Sequence, residues 1–158
     1  MLRLWVVAVG PLRHPGMAQA AAEYLRRLQR MPQVSLQVME VRPARGDERR
    51  PEQVLQEEGR RLMAAAIPEN SVRVALAVEG EALDSLQWSR WLKEMAWRDV
   101  PVAFFVGGAW GLSGDVLGWC QRRVSLSPLT MSHELSRLVL LEQLYRVAAT
   151  LAGIPYPK

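Results

Sequence analysis

The feature that most restricts the fold of this chain is a regular alternation between short apolar runs and longer stretches with apolar residues at helical spacing. The apolar runs are residues 4–9, 34–41, 72–78, 102–106 and 123–126. Short runs rich in β-branched residues predict strands, and the stretches between them predict helices. Strands and helices that alternate in this way predict an α/β domain with a five-stranded, mainly parallel sheet and helices on both faces.

The last predicted helix runs from Ser132 to about Leu151, with Ser132 as its N-cap and Glu134 in its first turn. Its apolar residues cover more than one face. Because a sheet can bury only one face of a helix, we predict a homodimer with this helix in the interface.

Size and composition predict one compact unit over residues 1–158, with a formal net charge of +4. The single cysteine, Cys120, cannot form an internal disulfide, so we expect a reducing, cytoplasmic location. Two histidines and one cysteine are too few for a structural zinc site, so no metal is expected. No membrane span is expected either. Residues 4–9 superficially resemble the core of a signal peptide, but Arg13 and His14 interrupt it, and a strand is expected.

Residues 42–50 carry turn formers and arginines without an apolar face, which predicts a mobile loop. Two interpretations stay open for it, a solvated loop and an RNA contact. The tryptophans in the helix predicted around residues 83–95 are expected to anchor the core or an interface instead of stacking on bases.

Two unusual loops follow the last two predicted strands. The first contains Gly107, Gly108 and Gly111, and the second is the polar, proline-bearing stretch 127–131. Ligands of parallel α/β sheets bind outside the carboxyl ends of the strands, so the two loops predict one shared pocket.

The glycine spacing in the first loop matches neither the dinucleotide fingerprint nor a phosphate-binding loop with its lysine. His133 lies beside serines but outside a strand-to-helix elbow, so a serine hydrolase is not indicated. What remains is a pocket of backbone amides and small or apolar side chains. Such a pocket suits an uncharged or zwitterionic cofactor.

Three segments together resemble a known family. They read FVGGAWGLS, then VSLSPLTMSHELSRLVLLEQLYRVA, then a closing Pro155-Tyr156. In this order and in a chain of this length they resemble the SPOUT, or α/β-knot, methyltransferases, and specifically the ribosomal large-subunit methyltransferase H family. The resemblance covers the whole chain. It implies methylation of N3 of a pseudouridine in 23S rRNA within the ribosome, a homodimer and a C-terminal deep trefoil knot.

The resemblance also implies a pocket for S-adenosylmethionine. The residues it places there are Leu76, Gly107, Gly108, Leu126, Ser127, Pro128, Leu129, Thr130 and Met131.

For the transfer itself the resemblance suggests His133, Arg137 and Tyr156, which would position or polarise the target base. Structural interpretations stay open for each: His133 as a helix-start contact, Arg137 paired with Glu134, and Tyr156 as terminal packing. The family usually closes with histidine and a basic residue after this tyrosine, whereas Pro157 and Lys158 follow here.

Three other functions are kept beside this one. They are a SPOUT methyltransferase acting on another RNA, a ribosome-binding homologue without turnover, and a nucleotide-binding oxidoreductase. The last is disfavoured because no acidic residue follows a glycine fingerprint at the required place.

Overall fold

The computed structural model describes residues 1–46 and 49–156. Ten elements alternate along the described chain. In order they are β1 (Leu2–Val9), α1 (Pro15–Gln29), β2 (Val34–Val41), α2 (Pro51–Met63), β3 (Val72–Ala82), α3 (Ser85–Trp97), β4 (Val102–Val106), α4 (Gly114–Trp119), β5 (Arg122–Ser125) and α5 (His133–Leu151). The predicted alternation is confirmed. Residues 42–46 contain neither helix nor strand, and Asp47 and Glu48 of the predicted loop lie outside the described residues.

The five strands form one sheet in the order β2-β1-β4-β3-β5, and every pair of neighbours is parallel. Since all strands run the same way, their carboxyl ends meet along one edge of the sheet. The loops after β3, β4 and β5 leave from that edge, side by side.

The helices cover both faces of the sheet, as predicted. Alternate residues of β1 point to opposite sides, so Leu4 and Val6 join one core and Val7 joins the other. The first core also contains residues of α1, α3 and α5, and the second contains residues of α2 and α4. The central strands β1 and β4 are therefore buried on both sides, which explains their nearly continuous apolar sequences.

Local sequence signals set the helix boundaries. Pro51 occupies the first turn of α2, where its missing N–H costs nothing. Asp84 and Gln87 form a capping box at the start of α3. The Ser132 hydroxyl accepts the backbone N–H of Leu135 at 3.3 Å and so caps α5 as predicted.

Strand β3 is longer than predicted, because it ends at Ala82 instead of residue 78. Leu76 and Glu81 both pair with Val124 of β5, so the residues between them bulge out of the ladder. Gly80 allows this irregularity, since a Cβ there would lie 2.7 Å from the backbone nitrogen of Val124. The bulge carries residues 77–79 to the edge where the loops leave the sheet.

Helix α5 packs against both α1 and α3. These two helices cover much of its apolar surface. The prediction of a homodimer considered only the sheet as cover for this surface and did not include the two helices. Leu135 and Val139 are half-buried on α5 and lie outside the core cluster. Among the described residues no helix combines the length and apolarity needed to cross a bilayer.

Candidate functional site

A cavity of about 640 Å³ opens at the carboxyl edge of the sheet. We call it the loop cavity. Its lining consists of residues 76–79 from the end of β3, 106–112 after β4, 125–127 and 129–133 after β5, together with Leu117 and Ser136. The two loops singled out from the sequence therefore face one space, as predicted.

The loop after β4 is a tight turn that requires glycine at positions 107 and 111. A Cβ on Gly107 would lie 2.3 Å from the carbonyl oxygen of Gly111, so the two backbones are in direct contact. The N–H of Gly111 donates to the carbonyl of Gly108 at 3.0 Å. Gly111 has a φ of +84°, a conformation that favours glycine. The turn is thus fixed by its own backbone.

The loop after β5 is also ordered by internal hydrogen bonds. The Ser125 hydroxyl donates to the carbonyl of Ser127 at 2.8 Å, and the Ser127 hydroxyl accepts the N–H of Leu129 at 3.0 Å. Because two serines satisfy backbone groups locally, the loop keeps its shape without a helix or strand. It then leads directly into the capped start of α5.

Eight of the nine residues predicted to hold the cofactor line the loop cavity: Leu76, Gly107, Gly108, Leu126, Ser127, Leu129, Thr130 and Met131. Pro128 is not among the lining residues. Of the three residues predicted for the transfer, His133 lines the cavity and Arg137 and Tyr156 do not.

Arg137 is a buried structural cation in this chain. Its Nη1 atom lies 2.8 Å from Oε2 of Glu40 at the end of β2 and donates to the carbonyl of Gly10 at 3.2 Å. The alternative pairing of Arg137 with Glu134 is wrong, since Glu134 accepts the backbone N–H groups of Arg13 and His14 instead. Arg137 therefore ties the start of α5 to the ends of β1 and β2.

Tyr156 lies at the opposite end of α5 from His133. Its ring packs against Tyr145 with the centroids 5.0 Å apart, and the Arg146 guanidinium lies 4.6 Å from its centroid. Burial, with a hydrogen bond to Tyr24, raises the pKa of Tyr156 to about 12. The phenol is thus neutral at physiological pH, and it is far from the loop cavity of its own chain. Pro157 and Lys158, which follow it, lie outside the described residues.

A second cavity of about 250 Å³, which we call the Glu58 cavity, lies next to the first. Both cavities are lined by Gly108, Ala109, Trp110 and His133. Glu58 of α2 is 4% exposed, and its Oε2 accepts the N–H of Ala44 at 3.1 Å. Its Oε1 is buried and has no hydrogen-bond partner among the described residues. The two cavities are therefore neighbours that share a wall.

Glu58 does not stand out in the sequence, because it sits in a run of polar residues. The available signal is helical spacing: Val54, Glu58 and Leu62 are four residues apart and all buried. A carboxylate on the apolar stripe of a helix is rare unless it has a partner or a function. Gly59 beside it lets α2 approach α4, since a Cβ there would lie 2.5 Å from the Ser113 hydroxyl oxygen.

Neither a thiolate nor a bound metal is indicated by the described residues. Cys120 is 9% exposed, and burial raises the pKa of its thiol to about 11, so it is not a ready nucleophile. No group of three or more His, Cys, Asp or Glu side chains in the described part of the chain is placed to hold a metal ion.

The fold is that of a recognised class. The family model described as predicted SPOUT methyltransferase matches residues 2–157, and the chain belongs to the SPOUT methyltransferases. Solved structures agree with this fold. A probable methylase family protein from Haemophilus influenzae has a TM-score of 0.55 at 16% identity, covering 100% of this chain and 73% of the other. TrmJ from Z. mobilis has a TM-score of 0.53 at 11% identity, covering 99% of this chain and 73% of the other.

Within that class the family is the ribosomal RNA large subunit methyltransferase H family. The protein of that name from Gemmatimonas aurantiaca is 38% identical over 157 residues, covering 99% of this chain and 100% of the relative. Its counterpart from Xylella fastidiosa is 38% identical over 159 residues, covering 99% and 98%. A third, from Stenotrophomonas maltophilia, is 38% identical over 152 residues and covers 96% of each chain. The resemblance inferred from the sequence is confirmed, and the chain is a methyltransferase by family.

Proposed function

We propose that this protein transfers a methyl group from S-adenosylmethionine to N3 of a pseudouridine in the 23S rRNA of the large ribosomal subunit. The relatives named above are ribosomal RNA large subunit methyltransferases, and they match almost the whole chain. The observation that carries the proposal is the loop cavity, where the loops after β4 and β5 meet beside His133.

The lining of the loop cavity suits S-adenosylmethionine better than a nucleotide phosphate. Its volume of about 640 Å³ falls within the range of small-molecule sites. Among the described lining residues Glu79 is the only acid, and there is no lysine or arginine. A carboxylate without cations favours a ligand that carries positive charge and disfavours a polyphosphate. This charge pattern also speaks against the oxidoreductase alternative.

We propose that the apolar side chains Leu76, Leu126, Leu129 and Met131 bury the adenosyl part, with the backbone of Gly107 and Gly108 close to it. Ser127, Thr130 and, at the rim, Pro128 complete the proposed set. The sulfonium supplies an activated methyl group whose electron pair stays on sulfur when the bond breaks. The protein then has to align the acceptor nitrogen with that methyl group and exclude water.

Of the three residues predicted for the transfer, we propose His133 as the catalytic residue, because it lines both cavities. Arg137 is proposed as a positioning residue, since its contacts with Glu40 and Gly10 fix the start of α5 and hence His133. Tyr156 is placed differently. It reaches a loop cavity only if a second protomer supplies it, because the 19-residue helix α5 spans about 28 Å at 1.5 Å per residue.

A homodimer is therefore part of the proposal, and sedimentation equilibrium tests it. We expect a mass of twice the 17.8 kDa chain at micromolar concentration. Leu135 and Val139, half-buried and one helical turn apart on α5, provide apolar surface for the contact. A mass of one chain would remove Tyr156 from the proposed site.

We expect a deep trefoil knot as well, as the family implies. In support, β3 lies between β4 and β5, so the chain must cross from one side of β3 to the other before it reaches α5. A topological analysis of the closed backbone tests this expectation, and an unknotted result contradicts it.

The proposed activity predicts transfer of tritium from labelled S-adenosylmethionine to ribosomes from cells that lack this methyltransferase. We expect the label in 23S rRNA, and mass spectrometry of nuclease fragments should place it on N3 of one pseudouridine. Ribosomes from cells that retain the enzyme are the control, because their site is already methylated and should take no label.

Two results would contradict this assignment and identify the alternatives. Label in bulk tRNA with none in 23S rRNA would indicate a SPOUT methyltransferase with another RNA substrate. Calorimetric binding of S-adenosylmethionine without transfer to any RNA would indicate a ribosome-binding homologue that has lost turnover.

A further inference from the structure

The Glu58 cavity has the place and size expected for the acceptor of the methyl group. It shares the wall formed by Gly108, Trp110 and His133 with the loop cavity, so a ligand in one lies next to a ligand in the other. Its volume of about 250 Å³ is less than half that of the loop cavity. A space of this size suits one flipped pyrimidine base.

Glu58 is an unusual group to find in such a cavity. Only 4% of the surface of Glu58 is exposed to solvent, yet its Oε1 atom has no hydrogen-bond partner among the described residues. A buried carboxylate oxygen without a partner is costly, and the cost is removed when a ligand donates a hydrogen bond to it. Oε1 lies against Gly108, because a Cβ on that glycine would be 3.0 Å from it. Oε1 is thus beside the residues that line both cavities.

Among the described residues, the charged groups around Glu58 leave its carboxylate without an ion pair. Arg61 donates to the carbonyl of Arg42 at 2.8 Å and lies 3.4 Å from Glu57, while Glu134 accepts the N–H groups of Arg13 and His14. Burial raises the pKa of Glu58, and the N–H of Ala44, Arg61 and His133 offset this only in part. A carboxylate with a raised pKa is a stronger base than an exposed one.

We propose, building on the function proposed above, that the Glu58 cavity receives the flipped target base and that the Glu58 carboxylate accepts the proton of its imide N–H. The imide edge presents one N–H between two carbonyl oxygens. In this arrangement the N–H of the base donates to Oε1 of Glu58. The two carbonyl groups of the base face the part of the cavity that is lined by backbone and by His133.

The transfer is balanced in this arrangement. The imide nitrogen loses its proton to Glu58, and its electron pair forms the new bond to the methyl carbon. The pair of the broken sulfur–carbon bond stays on sulfur, which leaves as a neutral thioether. Glu58 then releases the proton to solvent, and no further reactant is needed.

The test is the isosteric substitution Glu58→Gln, measured as the single-turnover rate of methyl transfer to ribosomes with Glu52→Gln as the control. Glu52 is an exposed acid in the first turn of the same helix. We expect the rate of the Glu58 variant to fall by about 10²–10⁴-fold, the usual contribution of a positioned general base. The control should keep the wild-type rate, and both variants should bind S-adenosylmethionine with wild-type affinity.

The pH profile separates a base from a structural residue. In the wild type the rate should rise as pH passes through the raised pKa of Glu58 and then level off, because only the carboxylate accepts a proton. In the Gln variant this inflection should be lost, and the slow rate should keep rising with pH as hydroxide takes the proton.

Two readouts do not depend on turnover. The Glu58 carboxyl carbon, followed by NMR in the protein without ligand, should titrate above the ordinary glutamate range. At neutral pH the Gln variant should melt at the same temperature as the wild type or higher, because a group whose pKa is raised by folding loses stabilising free energy as pH rises.

Several results would overturn the inference without touching the proposed function. One is a Glu58→Gln variant that methylates ribosomes at the wild-type rate. Another is a variant that melts well below the wild type, which would make Glu58 a structural residue, and a third is a carboxyl that titrates below the ordinary range. If the wild type itself methylates no ribosomal RNA, the proposed function fails, and the inference fails with it.

Discussion

Replacing Trp88 by alanine is expected to lower the free energy of unfolding by about 3–5 kcal/mol, the usual cost of truncating a buried aromatic residue. Replacing Trp97 on the same helix by alanine should change it by less than about 0.5 kcal/mol. Trp88 is 2% exposed and Trp97 is 90% exposed, so the pair compares the same substitution in two environments. Small domains are stable by only about 5–15 kcal/mol, and the first loss is therefore a large share of the total.

The loss at Trp88 has an identifiable structural source. Its ring stacks on Phe104 with the centroids 5.6 Å apart and lies at the same distance from Trp91. Phe104 is in β4, a central strand of the sheet, and is fully buried. A cavity left by Trp88 would have sheet on one side and helix on the other, and neither can move in to fill it.

Urea denaturation followed by circular dichroism measures both variants, and equal slopes with different midpoints would show that stability alone has changed. The prediction fails if Trp88→Ala and Trp97→Ala unfold at the same midpoint. Such a result would mean that α3 contributes little to the core.

The strands and helices are predictable from the sequence because their signals are local. Two periodicities and a few caps define them, as Pro51 and Ser132 illustrate. The strand order β2-β1-β4-β3-β5 is not predictable in this way, since it depends on which distant segments pair. The extension of β3 to Ala82 has the same origin, because Glu81 and Ala82 become strand only by pairing with β5.

The loop cavity is predictable because parallel strands place their carboxyl ends together. Knowing that Gly108 and Ser127 each follow a strand is enough to expect them at one edge of the sheet. The direction of a side chain on α5 is harder to predict. Arg137 lies one turn after His133 but points to Glu40 instead of the cavity. It does so because it pairs there with the Glu40 carboxylate of β2 and donates to the Gly10 carbonyl that follows β1.

Glu58 illustrates the opposite difficulty. Its sequence neighbourhood is polar, so composition suggests an exposed residue, while its position between Val54 and Leu62 places it on the buried face of α2. Only the packing of α2 against the start of α4 and the Gly107-Gly108 turn reveals that a carboxylate oxygen lies there without a partner among the described residues. Conflicts of this kind between charge and burial are where functional groups are expected.

Replacing Gly107 by alanine is expected to weaken S-adenosylmethionine binding by at least about 100-fold, or roughly 2.7 kcal/mol. The new Cβ would lie 2.3 Å from the carbonyl oxygen of Gly111 and 2.4 Å from its carbonyl carbon. Both are backbone atoms, so no side chain can rotate away. The turn has to open, which breaks the hydrogen bond from the Gly111 N–H to Gly108 and displaces the backbone that walls the loop cavity.

Gly118→Ala is the matched control. Gly118 lies in α4 with open space around the position of a Cβ, so alanine there should fit and should stabilise the helix by about 0.5–1 kcal/mol. Isothermal titration calorimetry measures the affinity of both variants, and thermal unfolding shows how much of each is folded at the temperature used. Gly107→Ala should stay folded, since overpacking usually costs about 1–3 kcal/mol. Wild-type affinity in a folded Gly107→Ala protein would mean that this turn does not hold the cofactor, because the substitution cannot be accommodated without moving it.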